Sequence, residues 1–319
     1  MKCVNRRTFL QTASAAGLAG AGFWATASQA AELPKRKFLM CLSPNLIGVK
    51  AKPHEAIKLA LQYGYQSVAP YPWLMVKYSK DELEELVGAM KDADLQWGGA
   101  IVWPFCTSDD AEFKEKRQGM SETAKALKRA GVTRCFTWTG PGSNTLAYVA
   151  NFRLHVRRLR EMGSLLGDHG LRLGVEYLGT KTMARKTKFP FVRTLAGMKE
   201  LTDEVGLSNV GLCLDAWHWF QAGDTEEDIL RLTNREVVTV DICDAPADMP
   251  RDEMPDSPRA LPCTTGVIDV KAFLRGLLKI GYNGPVGTEP FDKSLKEMST
   301  EQAMTVASTA MKKAFALIE

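Results

Sequence analysis

The chain has 319 residues, of which 45% are hydrophobic and 24% charged. That composition excludes a disordered or low-complexity chain and supplies apolar material for one large core. The formal net charge of +4 comes with no cluster of Lys and Arg interleaved with aromatics, which argues against a nucleic-acid partner.

The first thirty residues differ from the rest. Lys2, Arg6 and Arg7 make a basic start, and Asn5-Arg6-Arg7-Thr8-Phe9-Leu10 follows the twin-arginine export pattern. An uncharged stretch rich in Ala and Gly runs from Thr12 to about Ala27, with small-residue cleavage sites at Ala25-Thr26-Ala27 or Ser28-Gln29-Ala30. It is too short and too weakly apolar for stable membrane insertion. The expectation is a signal peptide over 1–30, exported in the folded state by the twin-arginine machinery to the periplasm. A linker over 31–37 and a single domain over 38–319 follow. Losing three basic residues and no acid takes the formal charge from +4 to +1. Cys3 leaves with the leader, and the six remaining cysteines form no C-x-x-C pair; those in apolar runs read as buried free thiols.

From residue 38 onward a short apolar run alternates with a longer amphipathic stretch. Strands are predicted over 38–42, 67–70, 96–102, 134–138, 172–176, 210–215, 237–242 and 286–289. Helices are predicted over 54–63, 80–92, 111–129, 148–169, 191–205, 226–233, 270–280 and 300–318. Ser79 is a natural N-cap, and Gly64, Gly131, Gly170, Gly206 and Gly281 stand where helices should stop. Eight strand–helix units predict an α/β fold, a parallel sheet closed as a single (β/α)8 TIM barrel. An open doubly wound sheet is the alternative, but no G-x-G-x-x-G follows the first strand.

In such a barrel the chemistry lies at the C-terminal ends of the strands. Strand five ends at Glu176, strand six at Asp215, strand seven carries Asp241, and strand eight ends at Glu289. One acid at a strand end is explained by capping the next helix or pairing with a lysine. Four on consecutive strands repel one another, and a divalent cation is the simplest answer. Lys181, five residues beyond Glu176, is within reach of the same end. Tyr71, Trp73, Trp103, Phe105 and Trp138 cluster near other strand ends, and aromatic faces suit the C–H faces of a sugar; Trp103 is the member assigned to substrate.

Gly-Val-Glu176-Tyr, Asp215-x-x-His218, Asp241-Ile-Cys-Asp-Ala-Pro, Gly-Thr-Glu289-Pro, and Arg259-Ala-Leu-Pro followed by Gly266-Val-Ile-Asp269 resemble the xylose-isomerase-like sugar phosphate isomerase/epimerase superfamily. The resemblance spans the whole chain after the leader. It implies a metal held by Glu176, Asp215, the strand-seven residue and Glu289, with His218 and Arg259 on the substrate. The family's strand-seven ligand is usually His; Asp241 stands there instead. An all-oxygen set would favour Mn²⁺ or Mg²⁺, with Zn²⁺ or Co²⁺ as alternatives. A homodimer is the association the resemblance implies.

The resulting expectation is a divalent-metal-dependent isomerase or epimerase of a small sugar or polyol-derived ketose, working through an enediolate with Glu176 and Glu289 as the proton-transfer pair. A lyase or dehydratase would use nearly the same residues, and a barrel that had lost its metal would be a sugar-binding protein. The superfamily's apurinic endonucleases need a histidine-rich multi-zinc site, which four histidines do not supply. No phosphate-cradling loop is visible, and export favours an unphosphorylated substrate.

Overall fold

The eight apolar runs assemble as parallel staves of one closed ring, each hydrogen-bonded to its sequence neighbours. The computed structural model describes residues 33–103, 106 and 109–319; the expected leader and Phe105 lie outside them. The staves are Leu39–Leu42, Ser67–Val68, a broken third, Arg134–Thr139, Arg172–Tyr177, Val210–Asp215, Val237–Ile242 and Pro285–Thr288. The first pairs with the eighth through Leu39 opposite Pro285, which closes the ring as a TIM barrel.

The third stave is split into Gln96–Trp97, on the second, and Ala100–Ile101, on the fourth. Gly98 and Gly99 lie at the break. A Cβ at Gly98 would stand 2.6 Å from Cys41 Sγ, and one at Gly99 would stand 2.5 Å from Thr239 Cγ2. The pair therefore keeps the barrel interior open.

Around the ring lie the helices Pro53–Tyr63, Lys80–Asp92, Asp110–Arg129, Tyr148–Gly167, Leu195–Val205, Glu226–Leu230, Val270–Lys279 and Thr300–Phe315. Ser79 caps the second of these by accepting from Glu82 N, with Glu82 reaching back to Ser79 N. The five helix-stopping glycines all carry φ between +70° and +79°. The helix expected from 191 starts only at Leu195, because Phe189–Pro190 pairs antiparallel with Gly142–Ser143. Short helices at Pro72–Met75, Lys181–Ala184 and Ala216–Ala222 were not expected. Among the described residues no helix is long and apolar enough to cross a membrane.

Glu226 ties two of the outer helices together. Its carboxylate, 8% exposed, accepts from Arg275 Nε and Nη2 and from Lys279 Nζ at 3.0 Å, which holds its pKa at about 2. Glu226→Gln is expected to cost about 2 kcal/mol at pH 7. That contribution is present above the ordinary value of 4.5 and lost as pH falls toward 2. Denaturant titrations at pH 7 and pH 3 should show the gap between variant and wild type shrinking by about half or more; an equal gap at both would refute it.

Candidate functional site

Side chains alternate along a strand, so every second residue of each stave faces the barrel axis. On strand seven these are Thr239 and Asp241; on strand eight they are Pro285 and Gly287, followed by Glu289. With Glu176 of strand five they line a cavity of about 340 Å³ that runs from the mouth down between the staves. Its outer wall is aromatic, from Tyr71, Trp73, Trp138 and Phe291, and among the described residues no Lys or Arg lines it. Trp138 stands opposite Glu176 in the sheet register, and Asp241 stands opposite both Asp215 and Gly287. The strand-end acids therefore meet at one level of the barrel.

Arg259 is the cation at that level. It is 3% exposed and arrives from the long segment after strand seven, anchored by its own N–H to Pro290 O at 3.1 Å. Nη1 donates to Asp215 Oδ2 at 2.7 Å and to Glu289 Oε2 at 2.8 Å. Nη2 donates to Asp256 Oδ1 at 3.2 Å. The guanidinium sits 4.5 Å from the Phe291 ring centroid and 5.2 Å from that of Trp217, between two aromatic rings. Phe291 holds its place with φ at +42°, a left-handed conformation that costs a bulky residue about 1–2 kcal/mol. Asp215 also caps the helix that follows it, accepting from Trp217 N at 2.8 Å. It serves both as a helix cap and as a member of the cluster.

The electrostatics follow from four acids and one arginine. Burial, then Asp215, Glu289 and Asp241, push Glu176 well above the usual carboxylate range. Burial raises Asp215 against the opposing pull of Arg259 and the Trp217 N–H. Burial and Asp215 bring Asp241 to about 7, and burial, opposed by Arg259, brings Glu289 to about 8. The cluster is short of positive charge, and its donors are oxygens, which suits a hard divalent cation. The residues present therefore fit a metal.

Ligand atoms of Glu176, Asp215 and His218 lie within 4.8 Å of one another. The histidine has no lone pair to offer, however. Gly179 N–H points at Nδ1 at 3.2 Å and Arg259 Nη2 faces Nε2 at 3.4 Å. A neutral imidazole accepts at only one nitrogen and carries a hydrogen on the other. His218 is neutral, because burial and then Arg259 lower its pKa well below the ordinary value. It is 1% exposed and stands beside Arg259, not among the residues that line the cavity.

Arg259 is likewise behind the wall, absorbed by carboxylates. Lys181 is taken elsewhere: Nζ pairs with Asp252 at 2.6 and 2.7 Å, joining the Lys181–Ala184 helix to the Arg251–Glu253 turn. Trp103 is 48% exposed beyond the cavity wall, packed edge-on against Trp138 and under Lys116 Nζ. Among the residues of the site missed in the sequence are Thr239 and Gly287 on the cavity wall, and three more. Phe291 follows the recognised Glu289-Pro, Ser43 follows strand one, and Asp256, three residues before Arg259, accepts from Arg259 and from Thr180 Oγ1. Proximity to Glu289 and Arg259 was the available signal for Phe291 and Asp256.

Residues 57–313 match the family model described as "Xylose isomerase-like TIM barrel". The inosose isomerase of Halalkalibacterium halodurans is 27% identical over 211 residues, covering 65% of this chain and 70% of that protein. A xylose isomerase domain protein from Alicyclobacillus acidocaldarius superposes with TM-score 0.76 at 25% identity, over 88% of this chain and 98% of that one. The IOLI protein, solved with a bound zinc atom, superposes with TM-score 0.75 at 19% identity, over 88% of this chain and 99% of that one.

Proposed function

This chain belongs to the xylose isomerase-like TIM barrel family, and from that premise we propose that it is a divalent-metal-dependent isomerase or epimerase of a small, unphosphorylated ketose or cyclic keto-polyol. The observation that carries the reading is the meeting of Glu176, Asp215 and Glu289 at the strand ends beside an aromatic-walled cavity, with Arg259 to balance them. The inosose isomerase relative and the zinc in the IOLI structure support the reaction class and the metal. The twin-arginine leader gives export to the periplasm as part of the same proposal.

Glu176, Asp215 and Glu289 would hold the cation, which when bound supplies Lewis-acid polarisation of a carbonyl and its neighbouring hydroxyl. The protein's own groups move the proton. Glu289 and Glu176 both face the cavity. Arg259 hydrogen-bonds Glu289, which favours its ionised form and suits it to take the proton from carbon. Among the described residues the Cys213 thiol, at 4.0 Å, is the hydrogen-bond partner of the Glu176 carboxylate, which suits Glu176 to the return step. Return to the same carbon epimerises; return to the adjacent carbon isomerises. The aromatic wall covers the reacting face and limits water.

Metal analysis of the purified protein should find close to one Mn, Mg, Zn or Co per chain, with thermal stability lost in EDTA and ketose proton exchange in D₂O dependent on the ion. One observation favours a second reading, a sugar-binding barrel without metal. Arg259 Nη1 already bridges Asp215 and Glu289, where a cation would otherwise draw them together. Sugar binding undiminished in EDTA, with no exchange under any ion, would decide for it.

A further inference from the structure

Strand seven presents two polar groups to the cavity that the barrel leaves unpartnered. Among the described residues none forms a hydrogen bond or ion pair with the Asp241 carboxylate, although it lines the cavity beside Asp215, held on both oxygens, and Glu289, held by Arg259 on one. Two residues earlier, and so on the same inward face, Thr239 is 3% exposed, also lines the cavity, and its Oγ1 has no hydrogen-bond partner. The Cys213 sulfur beside it is a weak acceptor at best for the Thr239 hydroxyl. Its hydroxyl thus keeps hydrogen-bonding capacity on the wall of a cavity that Asp241 also lines.

The position of the carboxylate is set by its neighbour. Gly287, directly opposite Asp241 on strand eight, has no side chain, and a Cβ there would lie 2.4 Å from Asp241 Oδ1. The carboxylate fills that space over strand eight, toward Ser43 of strand one.

We propose that Asp241 and Thr239 form a hydroxyl-recognition subsite for a neutral polyol, and that Asp241 is a specificity-determining residue rather than the fourth metal ligand. Asp241 accepts from one substrate hydroxyl and Thr239, able to donate or accept, meets another deeper in the cavity. The Asp241 carboxyl on the wall and the lack, among the described residues, of any lining Lys or Arg both select against an anionic substrate such as a sugar phosphate. The inference deepens the functional reading above and rests on it for the metal, but not for the polyol.

The test uses the full chain, with Asp241→Asn and Thr239→Val as near-isosteric variants, Asp215→Asn as the comparison, and 2-keto-myo-inositol and its reduced form myo-inositol as probes. Asp241→Asn is expected to keep manganese affinity within about threefold of wild type while weakening binding of both probes by about tenfold or more. Thr239→Val should weaken probe binding by about threefold to tenfold with manganese affinity unchanged. Asp215→Asn should weaken manganese by about tenfold or more. A loss of manganese in Asp241→Asn comparable to that in Asp215→Asn would make Asp241 a ligand and overturn the proposal. Probe binding unchanged in both strand-seven variants would overturn it as well, as would a wild-type protein that binds neither probe. If wild type binds the probes but no metal, the functional reading fails, and the subsite stands or falls on the two variants' probe affinities. Gly287→Ala, which leaves Asp241 in the chain but obstructs its carboxylate, should reproduce the probe defect; a folded Gly287→Ala with wild-type probe affinity would contradict the geometry.

Discussion

Replacing Glu176 by Gln should lower ketose proton exchange by about 10³-fold or more while leaving the barrel at least as stable as wild type in EDTA. The two halves of the expectation have one cause. Glu176 is a buried acid with three acidic neighbours and no cation in hydrogen-bond contact. In the metal-free protein its ionised form is a liability, and an amide of the same shape removes it without opening a cavity. On the proposed mechanism the same carboxylate would be both a metal donor and one of the two proton carriers, and an amide would replace neither function. Glu289→Gln should abolish exchange similarly but cost stability, because Arg259 Nη1 then loses one of its two carboxylate partners. Deuterium incorporation into 2-keto-myo-inositol and simple ketoses, followed by NMR, reads the chemistry, and thermal midpoints in EDTA read the fold. Exchange within tenfold of wild type in Glu176→Gln would remove the proton-transfer pair from the mechanism.

The barrel was legible because its signals are local. Apolar runs of strand length, helix-stopping glycines and the Ser79 cap each depend on residues close in sequence. Strands Val210–Asp215 and Val237–Ile242 and helix Lys80–Asp92 fall where periodicity puts them. The broken third stave was hidden because Gly98 and Gly99 answer to Cys41 and Thr239, side chains on distant strands. The site divides in the same way. An acid at a strand end is visible in sequence, so the level of the chemistry was fixed by Glu176, Asp215, Asp241 and Glu289. What each acid faces was not visible. Lys181 is five residues from Glu176 yet pairs with Asp252 across a loop whose path no periodicity describes. Arg259 stood out as a basic residue in a motif, but its confinement between Trp217 and Phe291, bridging two acids, needed the closed barrel. Asp241 shows the limit most clearly. Its place on strand seven suggested a metal ligand, while the space over Gly287 that receives its carboxylate belongs to the neighbouring strand.

Arg259→Met should destabilise the metal-free protein by about 3–5 kcal/mol at pH 8, much less at pH 5, and divalent ions should restore most of the loss. Arg259 is the cation hydrogen-bonded to this cluster, and Met keeps its packing between Trp217 and Phe291 while removing the charge. The pH dependence follows from the direction of the shifts. Asp241 and Glu289 are raised to about 7 and about 8 from ordinary values of 3.8 and 4.5. Between those limits the folded protein holds protons that the unfolded chain has released, so stability falls as pH rises. Wild type in EDTA should therefore be more stable near pH 5 than near pH 8, and removing Arg259 should steepen the fall by raising the same carboxyls further. At pH 5 Asp241 and Glu289 are largely protonated and lose little when the guanidinium goes. A bound divalent ion reverses the sign of the local field and favours the ionised carboxylates, so saturating Mn²⁺ should flatten the pH profile of both proteins. Denaturant unfolding at pH 5 and pH 8, with EDTA or Mn²⁺, gives all four corners of that comparison. A loss in Arg259→Met that is the same at both pH values and indifferent to Mn²⁺ would mean that the arginine acts through packing alone, and that the acids it bridges are not a cation site.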